Sequence, residues 1–258
     1  MASVHPTAVV DPQARLADDA EVGPFALVGP DVELGPGAVV GAHAVVVGRS
    51  TIGARTRIFP FAAVGGDPQD KSFAGEPTRL EIGADNVIRE HVTIHLGTPK
   101  GGGCTRIGDD NLIMNGAHVA HDCQIGSHTI LASFTGLAGH VVIEDYAVLG
   151  AYTGVHQFSR VGESVMSAAN AKLSQDAPPF SMVAGDRARL VGVNTVGLKR
   201  RDFSPETREC IKRAFHLIFF SKLRLEPALA RVREELGRSP EVARLVAFLE
   251  KSERGFCR

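Results

Sequence analysis

One aliphatic residue recurs at every sixth position of this chain. The series starts Val4, Val10, Leu16, Val22 and runs without a miss to Val64. It resumes at Ile82, Ile88 and Ile94, then continues from Ile107 to Val161, marking 24 hexads in all. A helix repeats at 3.6 and a strand at 2.0, so neither produces this period. Small or slim residues follow four places later (Ala8, Ala14, Ala38, Thr56, Thr129), and Gly often comes next after the aliphatic (Gly23, Gly41, Gly53, Gly108, Gly126). A solenoid accounts for all three marks. Each hexad makes one short strand and one corner, three hexads make a triangular coil of 18 residues, and Gly is expected to ease the corner. Coils stack by strand pairing at about 4.8 Å. An aromatic share of 6% and no Trp suit a thin aliphatic core. Because a stack ends in open strands, an element covering at least one end is expected.

Two Gly/Pro-rich stretches interrupt the count, near 65–81 and 96–106. Both read as loops leaving the scaffold, where function often sits. The solenoid is therefore assigned to 1–190. From 191 to 258 the period is gone, and Ser204-Pro205-Glu206 and Ser239-Pro240-Glu241 read as helix starts with a cap and a first-turn Pro. Ile211, Ala214, Phe215 and Ile218 fall on one face of the first of these helices; another helix is expected from about Glu226 to Glu235. The tail holds 15 Lys+Arg against 9 Asp+Glu, and the rest 13 against 20, which makes an acidic body with a basic appendage suited to an anionic partner. No apolar run approaches the roughly 20 residues of a membrane span. The N-terminus lacks the marks of a signal peptide, and Cys104, Cys123, Cys210 and Cys257 are too scattered for a zinc ribbon or disulfide framework. A cytoplasmic protein is expected, with no membrane span and no nucleic-acid partner.

Numbered by hexad, and with both loops bulging out without changing phase, His95, His121, His140 and His156 fall in four successive coils on one face. His118 falls at the corner leading into that face, and the loop after Val64 leaves from the same face. Three readings are open for such a row. It can be a solvated ladder, a zinc site, or a general base beside an orienting carboxylate. His121-Asp122 supplies the pair that the third reading needs. Hexapeptide-repeat carbonic anhydrases carry two histidines five apart, whereas His118 and His121 are three apart with no thiolate or Glu beside them. No metal is therefore assigned.

The segments His118-Val119-Ala120-His121-Asp122-Cys123, Leu137-Ala138-Gly139-His140-Val141 and Val155-His156-Gln157-Phe158 closely resemble the UDP-N-acetylglucosamine O-acyltransferase family. So do Gln69-Asp70, Ala74-Gly75-Glu76-Pro77-Thr78-Arg79, Ile88-Arg89-Glu90, Val92-Thr93-Ile94-His95 and Gly197-Leu198-Lys199-Arg200-Arg201; the likeness spans nearly the whole chain. The resemblance implies an all-β solenoid, a left-handed parallel β-helix of hexapeptide repeats with a C-terminal α-helical domain, assembled as a homotrimer with sites between subunits. It implies transfer of a 3-hydroxyacyl chain from acyl carrier protein to the 3-hydroxyl of UDP-N-acetylglucosamine, the first step of lipid A biosynthesis. No cofactor is implied beyond the phosphopantetheine that the carrier brings. His121 would be the general base, Asp122 its orienting partner, and the Gly139 N–H the oxyanion donor. Asp70, Lys71, Ser72, His95, His118, His140 and Gln157 would bind substrate, with His156 beside the acyl group. Asn194, Arg200 and Arg201 would meet the nucleotide of a neighbouring subunit, and Ala169 aligns with the residue that measures acyl length. Two departures stand out. Family members often carry Lys where Ser72 stands here, with Lys71 one place earlier, and an acidic residue where Val196 stands. The related N-acyltransferase, or the same transfer to a 3-amino sugar nucleotide, is the alternative. The former usually carries an extra N-terminal uridine-binding domain, whereas here the hexads start at Val4.

Overall fold

A computed structural model describes residues 1–258. Strands, most only two residues long, follow one another around three sheets of eleven, nine and eight strands, each pairing in parallel with the third one on until the last coil, where the eleven-stranded sheet ends in an antiparallel pair. Aliphatic stacks on aliphatic in register: Val22 on Val40, Val40 on Ile58, Ile58 on Ile88, Ile88 on Ile113. These residues form the buried core, with Ala20, Ala38 and Ala117 filling the narrower places between them. Burying each Val or Ile stabilises the stack by about 1.5–3 kcal/mol. Both loops leave the phase unchanged: Val64 lies in the nine-stranded sheet and Ile82 in the eight-stranded one, as do Ile94 and Ile107.

The corners are built differently from the expectation. The left-handed residue comes three places after the aliphatic and is mostly not glycine: Phe25, His43, Phe61, Asp122, His140 and Tyr152 all have φ near +60°. Gly after the aliphatic serves stacking instead. A Cβ on Gly53 would lie 2.3 Å from the Gly83 backbone, and one on Gly41 would lie 2.8 Å from the Ile58 carbonyl oxygen. The next coil occupies the space a side chain would need. Corner side chains one coil apart stack in ladders, Phe25–His43–Phe61–His91 at centroid spacings of 5.0, 5.0 and 5.3 Å. Phe25 and Phe61 are more than half exposed.

The last coil is covered and the first is not. Strand Ser181–Ala184 pairs antiparallel with Arg189–Val193, so strand pairing runs on past residue 190. Helices α1 (Thr195–Arg200), α2 (Pro205–Phe215), α3 (Leu225–Leu236) and α4 (Pro240–Glu250) follow. Ser204 and Ser239 cap α2 and α4, each accepting from the N–H three residues on. Ile211, Ala214, Phe215 and Ile218 are buried, and with Leu198 and the solenoid's Phe180 they form one cluster over the end of the stack. At the other end Val4 is 42% exposed.

Candidate active site

The nine-stranded sheet carries the histidines, but in two pairs rather than one row. His118 lies within strand His118–Val119 itself rather than at the corner before it. Its ring meets His95 edge-on at 5.2 Å, and its Nδ1 lies 2.8 Å from the Thr93 hydroxyl. His121 meets His140 at 5.2 Å, with the rings nearly perpendicular. His140 in turn stacks on Phe158 at 4.4 Å. Hexad phase places residues on a face; the offset within the hexad decides which rings touch.

His121 and Asp122 form the centre. The Nδ1–H of His121 donates to Asp122 Oδ2 at 2.8 Å, and the carboxylate side chain is wholly buried. Asp122 sits at a corner with φ +61°, a conformation Asp tolerates better than most residues. The second loop closes over it. The Thr98 N–H donates to Oδ1 at 2.7 Å and the Thr98 hydroxyl to Oδ2 at 2.6 Å. Thr98 caps a single 3₁₀ turn, Pro99–Gly101. A Cβ on Gly101 would lie 2.0 Å from the Asp122 carboxyl carbon, so only glycine lets this turn reach its seat. With its Nδ1 proton committed to Asp122, the His121 ring presents Nε2 as an acceptor.

Gly139 stands directly against that nitrogen: a Cβ there would lie 2.7 Å from His121 Nε2. Its N–H has no backbone partner. The same corner position is filled by Pro24, Pro30, Pro36 and Pro60 elsewhere, residues without an N–H to satisfy. Gly139, its N–H unengaged by the backbone, thus packs against the imidazole edge that carries Nε2, which suits removal of a proton from a nucleophile while an oxyanion forms nearby. Burial pushes His118 below the ordinary histidine range, helped by His95 and His121. Burial does the same to His140 against the pull of Asp122, so both rings favour the neutral state at neutral pH. Ligand atoms of His121, Asp122 and His140 lie within 4.8 Å of one another. Two of those atoms already hydrogen-bond each other, and Thr98 holds the carboxylate, which makes a poor set of free metal donors.

The first loop lies beside this centre. Asp70 accepts from the Ser72 N–H at 2.9 Å, which holds its carboxyl below the usual range; His121 and Lys100 add to the effect. Lys71 makes no hydrogen bond or ion pair, whereas Lys100 of the second loop donates to the Ser72 hydroxyl at 3.2 Å. His95 Nδ1 donates to the Asp67 carbonyl at 2.7 Å. His156 and Gln157 are exposed on the next coil. A groove of about 510 Å³ runs between His118 and His156 toward Lys172 and Arg187, lined also by Gly136 and Gly154. A Cβ on Gly136 would meet nothing within 4 Å, so its absence leaves the sheet's outer surface open.

The tail residues lie elsewhere within one chain. Asn194 caps α1, accepting from the Gly197 N–H at 3.0 Å and donating to the Ser164 carbonyl at 2.9 Å. Arg201 pairs with Glu163 at 2.7 Å and lies over the Tyr146 ring at 3.6 Å, a different corner of the prism from Asp122. Arg200 and Val196 are exposed on α1, and Ala169 is exposed at the corner after strand Met166–Ser167. A cavity of about 1050 Å³ lies on the eight-stranded sheet around Arg201. Its charges answer one another, Arg106 to Glu81 and Arg201 to Glu163, and no histidine lines it. The sequence did not single out Thr98, Gly101 or Lys100. The Gly-rich run after Lys100 was the available signal.

Residues 176–257 match the family described as UDP N-acetylglucosamine O-acyltransferase, domain 2, and residues 13–48 and 104–139 match bacterial transferase hexapeptide repeats. The chain is 52% identical to an acyl-[acyl-carrier-protein]–UDP-N-acetylglucosamine O-acyltransferase of Janthinobacterium sp. (strain Marseille), over the full length of both. It is also 52% identical, again over both full lengths, to the enzyme of that name from Myxococcus xanthus. Among solved structures, the Francisella novicida UDP-N-acetylglucosamine acyltransferase superposes with a TM-score of 0.96 at 38% identity, covering 99% of this chain and 94% of that one. The Arabidopsis enzyme gives 0.87 at 33%, covering 99% and 100%.

Proposed function

The chain belongs to the UDP-N-acetylglucosamine O-acyltransferase family, and from that premise we propose how its site transfers an acyl chain from acyl carrier protein to UDP-N-acetylglucosamine, the first step of lipid A biosynthesis. The fold is a left-handed parallel β-helix with a helical C-terminal region. His121 Nε2 removes the proton from the sugar 3-hydroxyl as its oxygen attacks the thioester carbonyl of a 3-hydroxyacyl chain. The C–O bond forms, the carbonyl electrons move onto oxygen, and the Gly139 N–H meets that oxyanion. On collapse the C–S bond breaks, and the proton on His121 goes to the departing phosphopantetheine thiolate. Asp122, fixed by Thr98, holds the imidazole in the tautomer this needs and stabilises the imidazolium that forms. The observation that carries this reading is the convergence of a buried, twice-anchored carboxylate, an Nδ1-donating histidine and a glycine seated against the free Nε2.

In this reading Asp70, His118 and His140 orient the sugar, and the glycine-lined groove past His156 gives the acyl end an outlet. A homotrimer is the assembly that would complete the site. Two features support it: the exposed corner ladder around Phe25 and Phe61, and the position of Arg201 on a corner away from His121 within one chain. Ala169 at an exposed corner would then limit the acyl pocket from beside such an interface. No helix is long and apolar enough to cross a membrane, as suits a protein that meets a soluble carrier.

The test is transfer to UDP-N-acetylglucosamine from a panel of 3-hydroxyacyl carrier proteins of different lengths, with the 3-amino sugar nucleotide as second acceptor. Transfer to the 3-hydroxyl sugar establishes the reading, and transfer confined to the 3-amino sugar replaces it. Gly139→Ala tests the site itself. Its methyl would press into the His121 ring, and because the local backbone is not left-handed the fold should survive. We expect kcat to fall about 10²-fold; a variant with wild-type kcat would dissociate Gly139 from the chemistry.

A further inference from the structure

Two loops leave the solenoid on the histidine face, and one contact joins them. The Lys100 ammonium, on the 3₁₀ turn of the second loop, donates to the Ser72 hydroxyl of the first at 3.2 Å. That is its single protein partner, and no carboxylate pairs with it. The neighbouring residue, Gly101, is the one packed onto Asp122, so the turn that seats the catalytic carboxylate also fixes where this cation stands. Across from it is Asp70, itself turned back onto the Ser72 N–H. A carboxylate suits sugar hydroxyls but repels the diphosphate attached to the same sugar. An uncommitted ammonium beside it offsets that repulsion and supplies a donor for a phosphate oxygen. Lys71 has no such placement: it is exposed and makes no hydrogen bond or ion pair.

We propose that Lys100, held by Ser72 across the two loops, is a cation through which this chain's side of the site binds the diphosphate of its sugar nucleotide. The inference rests on the acceptor assigned above and names a residue that holds its charged part. Lys100 is exposed and bears no core contact, so its removal leaves the turn's anchors, Thr98 and Gly101, in place.

The experiment compares wild type, Lys100→Gln and the double variant Lys100→Gln/Ser72→Lys, which moves the ammonium to the other side of the same contact. Lys100→Gln should raise the KM for UDP-N-acetylglucosamine about tenfold with kcat within about twofold and the KM for acyl carrier protein unchanged. The double variant should recover most of the loss. Calorimetric titration with UDP-N-acetylglucosamine alone should show the same loss in affinity, and a weaker salt dependence than wild type. Because that titration needs no turnover, it reads the inference even if wild type fails to transfer, an outcome that would sink the assigned reaction separately. Unchanged affinity and KM in Lys100→Gln would overturn the proposal. So would a rise confined to the carrier protein's KM, which would place the ammonium on the phosphopantetheine phosphate, or failure of Ser72→Lys to restore binding.

Discussion

Replacing His121 with alanine is expected to lower kcat by about 10²–10⁴-fold while leaving the fold and the affinity for the sugar nucleotide nearly unchanged. The reason lies in how the ring is held. His121 touches Asp122, the edge of His140 and the backbone of Gly139, and it belongs to none of the stacked aliphatic ladders that stabilise the coils. Asp122 keeps both Thr98 donors without it, so the second loop stays seated. A group that takes a proton only as the bond forms acts on the transition state, so kcat and kcat/KM should drop together. Steady-state kinetics with the thermal midpoint as a control decides the matter. A variant retaining even a tenth of wild-type kcat would remove His121 from the role of base.

Asp122→Asn is expected to cost kcat a similar 10²–10⁴-fold, with the fold intact, for a different reason. The amide is close in size and its oxygen can still accept from the Thr98 N–H. On the other side an N–H₂ now faces His121 Nδ1, where a carboxylate oxygen accepted at 2.8 Å. An amide donor there forces the imidazole proton onto Nε2, the nitrogen that has to be free. Asn is a cleaner test than Ala, which would leave the buried Thr98 donors unpaired at a cost of about 1–3 kcal/mol and loosen the loop. Nitrogen-15 NMR of the His121 ring reads the tautomer directly. A proton still on Nδ1 in Asp122→Asn, together with near-native kcat, would mean that orientation by this carboxylate is not needed.

The hexad was sufficient to place Ile58, Ile88 and Ile113 on one internal ladder, because an inward position repeated 24 times leaves no other way to bury it. It was also sufficient to carry the phase through both loops, since a closed coil has to rejoin the next face. Ser204 and Ser239 announced their helices through local hydrogen bonds that need no tertiary partner. The short helix Thr195–Arg200 was not announced, because its cap, Asn194, is held by the carbonyl of Ser164, thirty residues away. The construction of the corners is hidden in the sequence for a related reason. Gly at the hexad boundary looked like a turn residue, but its missing side chain makes room for the coil above, and aromatic and acidic residues take the left-handed position.

For function, the sequence by itself determined the scaffold, the face and the pair His121-Asp122, all of which follow from period and adjacency. Only the tertiary structure decided what that pair can do. A loop with no periodicity folds back over 24 residues to put Thr98 on both oxygens of Asp122, Gly101 against its carbon and Lys100 on Ser72. Such contacts depend on where a chain excursion returns in space, and hydrogen bonds of that range leave no spacing in the sequence from which to read them.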